Sequence, residues 1–290
     1  VYPPRFRYEA PTSLDDAIAL LAANPDAKIL AGGQSLIPMM KLRFATPPLL
    51  VDINNIAGLD QYRADADGSC RIGALCRHAQ LERSETLPAL QPTIAAAAPL
   101  IADPIVRTRG TLVGSLCHAD PQGDWASAMV SLGASITALG PSGGRSIAVA
   151  DLVRGPFQTV LAPDEIAVEA AVPAARGARA GGYLKLERRI GDFATVGVAV
   201  SLEIAAGAVA NAGIGLTGVG PVTVDASEAA AALLGSSLDS AAVESAAGLA
   251  AQAAQPRSDH RGSADYKRHV VATFVQRICG RISQAQQEAA

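Results

Sequence analysis

The stretch "KILAGGQSLIPMMKLR", residues 28–43, decides how the rest of the chain is read. A short apolar run ending at Ala31 has the length of a buried strand. It runs straight into Gly32-Gly33-Gln34-Ser35 and then into an apolar segment with a basic end. Two readings are open. The four residues are ordinary turn material, or they form a nest of successive backbone N–H groups that attracts phosphate oxygens without a lysine. Glycine suits such a nest because it accepts positive φ and has no side chain in the way. A second segment of the same kind, "RTRGTLVGSLCHADPQGD" at 107–124, leads into a helix near Asp124. Ser35, Thr111 and Ser115 add hydroxyls, and two nests from distant parts of the chain would suit a diphosphate.

Around these segments the patterning alternates between helix and strand. "TSLDDAIALLAA" (12–23) predicts a helix capped by Ser13, with Leu14, Ala17, Ile18 and Leu21 on one face. "LLVDI" (49–53) reads as a strand, and residues 62–75 as a hairpin turning at Asp67-Gly68. The alanine-rich segment 87–103 is expected to be helical after Pro88. A second hairpin is expected at 135–149 and a strand at 164–173. "AARGARAGG" (174–182) is expected to be the linker between two domains. Beyond it come strands of an antiparallel sheet and two or three helices. The last, from about Ala264, carries Tyr266, Val270, Val271, Phe274, Val275 and Ile278 as a core-facing stripe. Strands mixed with helices in both halves indicate an α+β fold.

The chain of 290 residues is long enough for about two domains, and 49% apolar with 18% charged residues is a globular composition. A net charge of −3 offers no broad basic surface, so no nucleic-acid partner is expected. No apolar run has the length of a membrane span, and the first thirty residues lack a signal-type apolar core, so a cytoplasmic location is expected. Cys70, Cys76, Cys117 and Cys279 form no C-x-x-C pair and read as free thiols, so no zinc or iron–sulfur site is assigned to this chain. His118 near Asp120 is a single pair, which is weak evidence for a metal. No P-loop and no G-x-S-x-G motif occurs, and no catalytic acid–base pair stands out. "GIGLTG" (213–218) satisfies G-x-G-x-x-G, with Asp239 downstream. Gly220-Pro221 follows at once, however, and no helix starts there to bind a pyrophosphate. These glycines therefore read as strand ends and turns.

The three segments "AGGQSLIPMMKLR" (31–43), "RTRGTLVGSLCHADPQGD" (107–124) and "YLKLERRIGDFATVGVAV" (183–200) together resemble the FAD-binding medium subunit of molybdenum hydroxylases. The carbon monoxide dehydrogenase branch is the nearer likeness and the xanthine dehydrogenase flavin domain the more distant one. The resemblance runs from about Tyr2 to about Arg281. It implies a two-subdomain FAD-binding domain of the vanillyl-alcohol-oxidase type at 1–175, with subdomains at about 1–56 and 57–175. A small C-terminal α+β domain at 180–286 would follow, with a three-stranded antiparallel sheet plus helices.

The resemblance also implies site residues. Gly32, Gly33, Gln34, Ser35 and Leu36 match the first pyrophosphate-binding loop. Thr111, Leu112, Val113, Gly114 and Ser115 match the second, where this chain has Val113-Gly114 in place of the usual glycine pair. Ile101 matches an apolar residue beside the flavin and is equally well a core isoleucine. Asp124 matches a carboxylate on the cofactor's sugar-like portion and could also cap its helix. Lys185 matches a lysine reaching the flavin, against a solvated strand lysine. Phe193 matches an aromatic near the isoalloxazine, against a core phenylalanine. Ile166 lies in a segment brought to the cofactor. Arg188, Arg189 and Asp192 match a polar cluster able to order their loop through ion pairs.

FAD would be held noncovalently. The implied partners are a small chain with two [2Fe–2S] clusters and a large chain with a molybdenum–pterin cofactor, in a dimer of heterotrimers (a heterohexamer). Electrons would reach FAD from the clusters and leave to an external acceptor. A self-contained FAD-dependent oxidase or dehydrogenase and a non-enzymatic scaffold subunit are the alternatives.

Overall fold

A computed structural model describes residues 2–289. Three sheets carry the fold. The first is parallel and small: β1 (Arg7–Glu9), β2 (Lys28–Leu30) and β3 (Leu49–Asp52), in the order β1-β3-β2. The helix Leu14–Ala23 connects β1 to β2. Ser13 caps it as expected, its hydroxyl accepting from the Asp16 N–H at 3.1 Å.

The second sheet is antiparallel and five-stranded. It contains β4 (Tyr62–Ala64), β5 (Cys70–Gly73), β6 (Ser135–Gly140), β7 (Gly143–Ala148) and, past a small hairpin of β8 (Val153–Gly155) and β9 (Gln158–Thr159), β10 (Ile166–Val172). Its order is β4-β5-β10-β6-β7, so both expected hairpins form. The segment 87–103 is not one helix. It breaks into Leu87–Leu90, Pro92–Ala97 and a 3₁₀ turn at Ala98–Leu100, and Pro104–Arg107 follows. Pro88, Pro92, Pro99 and Pro104 are the reason, since proline lacks the N–H that a continuous helix needs and is tolerated only in a first turn.

The C-terminal sheet has four strands rather than three: β11 (Ala178–Leu186), β12 (Val196–Ala205), β13 (Ala208–Thr217) and the two-residue β14 (Val224–Asp225). The expected linker is partly strand. Residues 178–182 pair with 200–204 of β12, because the small residues there still supply a full backbone ladder. The helices Ser227–Ala231, Ser240–Ala253 and Ala264–Ala289 follow, and Val270, Val271, Val275 and Ile278 are buried in a separate C-terminal core.

This sheet is covered on both faces, which explains its sequence. Along β12, Val196, Val198, Val200 and Leu202 face the C-terminal core, while Ala199 joins the core of the first domain. Gly213 and Gly215, the first two glycines of the "GIGLTG" pattern, lie inside β13 and are not strand ends. A Cβ at either would run into the carbonyl of Ser131 or Ser127, so they let the helix Asp124–Ser131 lie with its backbone on the sheet. Gly218 occupies the turn after β13 with φ +76°. That helix is the element that carries Asp124 to the junction of the two domains.

Candidate functional site

The first bend lies between the end of β2 and the short helix Leu36–Lys41. Gly33 has φ +72°, a left-handed conformation that other side chains rarely adopt. The Ile37 N–H donates back to the Gly33 carbonyl at 3.0 Å, and the Gln34 amide donates to the Gly32 carbonyl at 3.2 Å. Among the described residues, the N–H groups of Gly33, Gln34, Ser35 and Leu36 find no acceptor, and Ser35 makes no side-chain capping bond. Four successive free donors in one bend need an acceptor from outside the chain.

The second bend is closed by its own side chain. Thr111 caps the helix Leu112–His118, its hydroxyl accepting from the Gly114 N–H at 3.1 Å. A Cβ on Gly114 would lie 2.6 Å from that hydroxyl, so glycine at 114 keeps the cap clear. Leu112 and Val113 are the first two helical residues, and their N–H groups lie in the turn that a helix leaves unpaired. The Val113 side chain is packed into the core, so the departure from a glycine pair puts no bulk on the ligand side. Gly114 and Ser115 are half-buried. Behind the bend, the Trp125 indole donates to His78 Nδ1 at 3.0 Å, and burial lowers the His78 pKa to about 4.

The two bends meet. A Cβ on Gly32 would collide with the carbonyl oxygen of Arg109 and lie 2.8 Å from the Gly110 Cα. Ser115 leads on to the charged part of the site, since a Cβ on Gly123 would lie 3.9 Å from the Ser115 hydroxyl.

Asp124 is the first residue of its helix, with Gly123 as the cap, so its carboxylate does not cap the helix. It is buried and accepts from the Tyr183 hydroxyl at 2.5 Å and from Lys185 Nζ at 3.0 Å. Burial pushes its pKa above the ordinary carboxylate range, while the charge of Lys185 and the two hydrogen bonds pull it back. Burial and the neighbouring Asp124 charge push the Tyr183 phenol well above its usual value.

Lys185 is not a solvated strand lysine, as its side chain is 1% exposed. Besides Asp124 it meets the Leu100 carbonyl at 2.9 Å and Glu187 at 3.3 Å. Two of its three N–H donors are hydrogen-bonded, to Leu100 and Asp124, and Glu187 adds an ion-pair contact. Lys185 therefore holds Asp124 in place. Tyr183 and Lys185 point to one face of β11 because side chains alternate along a strand, and Glu187 follows directly after its end, within reach of Lys185. That spacing was available in the sequence, yet Tyr183 and Glu187 were missed.

Ile101 is buried next to Leu100, and its carbonyl accepts from Arg107 at 2.9 Å. The loop after β11 rests on the same segment, where a Cβ on Gly191 would lie 2.9 Å from the Ala102 carbonyl. Phe193 in this loop is not a core residue, being 52% exposed. Arg188, Arg189 and Asp192 make no ion pair among the described residues. The loop is ordered instead by the Gly191 N–H donating to Glu187 at 3.2 Å and the Asp192 N–H donating to the Arg189 carbonyl at 3.0 Å. Ile166 stands apart from the rest. It begins β10 with no exposed surface and is part of the first domain's core.

Residues 4–175 match the family described as the FAD binding domain in molybdopterin dehydrogenase, and residues 182–282 match the CO dehydrogenase flavoprotein C-terminal domain. The chain belongs to this flavoprotein family. Over 276 residues it is 40% identical to the carbon monoxide dehydrogenase medium chain of Hydrogenophaga pseudoflava, covering 95% of this chain and 96% of that one. It is 35% identical to the nicotine 6-hydroxylase medium subunit of Paenarthrobacter nicotinovorans, covering 94% and 96%. Among solved structures, quinoline 2-oxidoreductase from Pseudomonas putida 86 superposes with a TM-score of 0.89 at 33% identity, covering 98% of this chain and 99% of that one. Members of the family are FAD-binding subunits of multi-subunit oxidoreductases, and this chain is a medium subunit of that type. The unpaired amides of the first bend, the glycine contact between bends and the adjoining carboxylate fit the FAD that the family carries.

Proposed function

We propose that this chain holds FAD across its two glycine bends as the electron-carrying subunit of a molybdenum hydroxylase. The observation that carries this reading is the meeting of Gly32 with Arg109 and Gly110, which turns two remote bends into one array of donors. Residues 33–36 supply free N–H groups for one part of the diphosphate. Leu112 to Ser115 supply the helix start and a hydroxyl for the other. Asp124 retains unused acceptor sites on both carboxylate oxygens for the hydroxyls of a sugar-like chain. Lys185 and Tyr183 set its orientation. Phe193 is placed as an exposed ring able to cover a flavin.

When bound, FAD accepts electrons singly and releases them as a pair, which suits a carrier between iron–sulfur clusters and an external acceptor. The work of this chain is to bind, orient and shield the cofactor. The partners are a small iron–sulfur chain and a large molybdenum–pterin chain, assembled as a dimer of heterotrimers in the cytoplasm. No helix among the described residues is long and apolar enough to cross a membrane. Relatives named for carbon monoxide and for nicotine match this chain along nearly its whole length, so the substrate is chosen on another chain.

The test is reconstitution of the full chain with FAD, followed by co-purification with its partner chains. Stoichiometric, non-covalent flavin that small organic substrates reduce only when the partner chains are present is the expected result. A colourless protein after reconstitution would favour a scaffold. Reduction of the isolated chain by such a substrate would favour a self-contained oxidase.

A further inference from the structure

We infer that Arg77 is a positioning residue that locks the two bends in register through Asn54; this inference rests on the FAD reading above. The Arg77 guanidinium forks. Nη1 donates to the Arg109 carbonyl at 2.7 Å, immediately before Gly110, and Nη2 donates to Asn54 Oδ1. The Asn54 amide in turn donates to the Ala31 carbonyl at 2.9 Å, immediately before Gly32. One continuous chain of hydrogen bonds therefore joins the residue preceding each bend.

Both ends of the chain are anchored. Asp52 at the end of β3 accepts from the Asn54 backbone N–H at 2.9 Å and from the Tyr8 hydroxyl at 2.6 Å. The Arg77 backbone donates to Gln80 Oε1 at 2.6 Å and bridges to Thr111, the cap of the second bend. The network spans from the parallel sheet to the antiparallel one, adding a polar tie to sheets that share one hydrophobic core. The planar fork of the guanidinium, with its fixed donor directions, holds both acceptors at once in one orientation. Arg77, Asn54, Asp60 and Gln80 also line a cavity of about 300 Å³. Solvent can fill the space left by a shorter side chain, so replacing Arg77 need not collapse the fold.

The test measures the FAD dissociation constant and the thermal midpoint of the flavin-free full chain for wild type, Arg77→Gln, Arg77→Lys, Asn54→Ala and the Arg77→Gln/Asn54→Ala double variant. Arg77→Gln is expected to weaken FAD binding at least tenfold. The double variant should be no weaker than the worse single, because both break one chain of bonds. Arg77→Lys keeps the charge but not the fork, so it should recover the thermal midpoint more fully than the affinity. A purely structural role would recover both together. Wild-type affinity in Arg77→Gln would overturn the inference, as would simple additivity in the double variant. If Arg77→Gln does not fold, Asn54→Ala decides, and unchanged affinity there overturns it. Failure of the wild type itself to bind FAD would instead sink the FAD reading.

Discussion

On the proposed FAD reading, the bends at 32–36 and 110–115 act through backbone amides, whereas the cluster of Asp124, Tyr183 and Lys185 acts through buried side chains. The bends depend on shape. Gly32 works because nothing projects from it, and the second bend works because Thr111 fits beside Gly114. The cluster depends on charge balance in a poorly solvated place, where each partner is tolerable only in the presence of the others. The two regions should therefore fail differently. Damage to the bends should remove the ligand with little change of charge, while damage to the cluster should destabilise the chain with or without ligand.

The sharpest way to break the comparison is Gly32→Val. Its Cβ would meet backbone atoms of Arg109 and Gly110, which cannot move aside as a flexible side chain can. The expected effect exceeds about 4 kcal/mol, in the exceptional class, and reads as loss of bound flavin from a purified chain. Full flavin content would show that the bends do not need to touch.

Lys185→Met comes next. It leaves the Asp124 carboxylate buried with only Tyr183 as partner, and breaking such a pair costs about 3–5 kcal/mol. Denaturant unfolding of the flavin-free chain measures it. A loss of flavin affinity with unchanged stability would instead mean that the lysine serves the ligand directly.

The anchor behind the second bend predicts a pH effect of intermediate size. His78 is held neutral when folded, with its pKa lowered to about 4 from an ordinary 6.5, so only the unfolded chain takes up its proton between those values. Its contribution is present above about pH 6.5 and is lost as pH falls towards 4, by about 3 kcal/mol at 1.36 kcal/mol per unit. His78→Gln, which keeps an acceptor for Trp125 but cannot be protonated, should flatten that part of the acid profile. An unchanged profile would remove His78 from the account.

The smallest effect is expected from Thr111→Val, which deletes the cap but keeps the shape. A loss of about 1 kcal/mol is typical of a lost N-cap. The flavin-free thermal midpoint and the flavin affinity should both fall slightly. A large and selective loss of affinity would mean that the hydroxyl contacts the ligand and is not only a cap.

The chain's own order was enough to find the bends, the hairpins at 62–75 and 135–149 and the capped helix at 14–23, since each rests on residues a few positions apart. It was also enough to recognise the family, because three separated motifs occur in one order. The same local logic placed the domain boundary in segment 174–182, where the two family matches meet, but did not show that its second half, 178–182, pairs as a strand once β12 is beside it. It offered Lys185 as a solvated strand lysine, which the structure buries, because nothing near it in sequence announces the carboxylate on a helix sixty residues away.

What the sequence by itself determined is therefore local: which segments bend, which alternate, and which residues share a face of β11. The tertiary structure decided the partnerships: Gly32 against Arg109, Arg77 between Asn54 and Arg109, Gly213 and Gly215 beneath a helix, and Lys185 with Asp124, Leu100 and Glu187. The physical reason is that backbone geometry and side-chain alternation are set by neighbours in the chain. A buried contact between distant residues is set by how whole elements pack, and no short stretch of sequence contains that information.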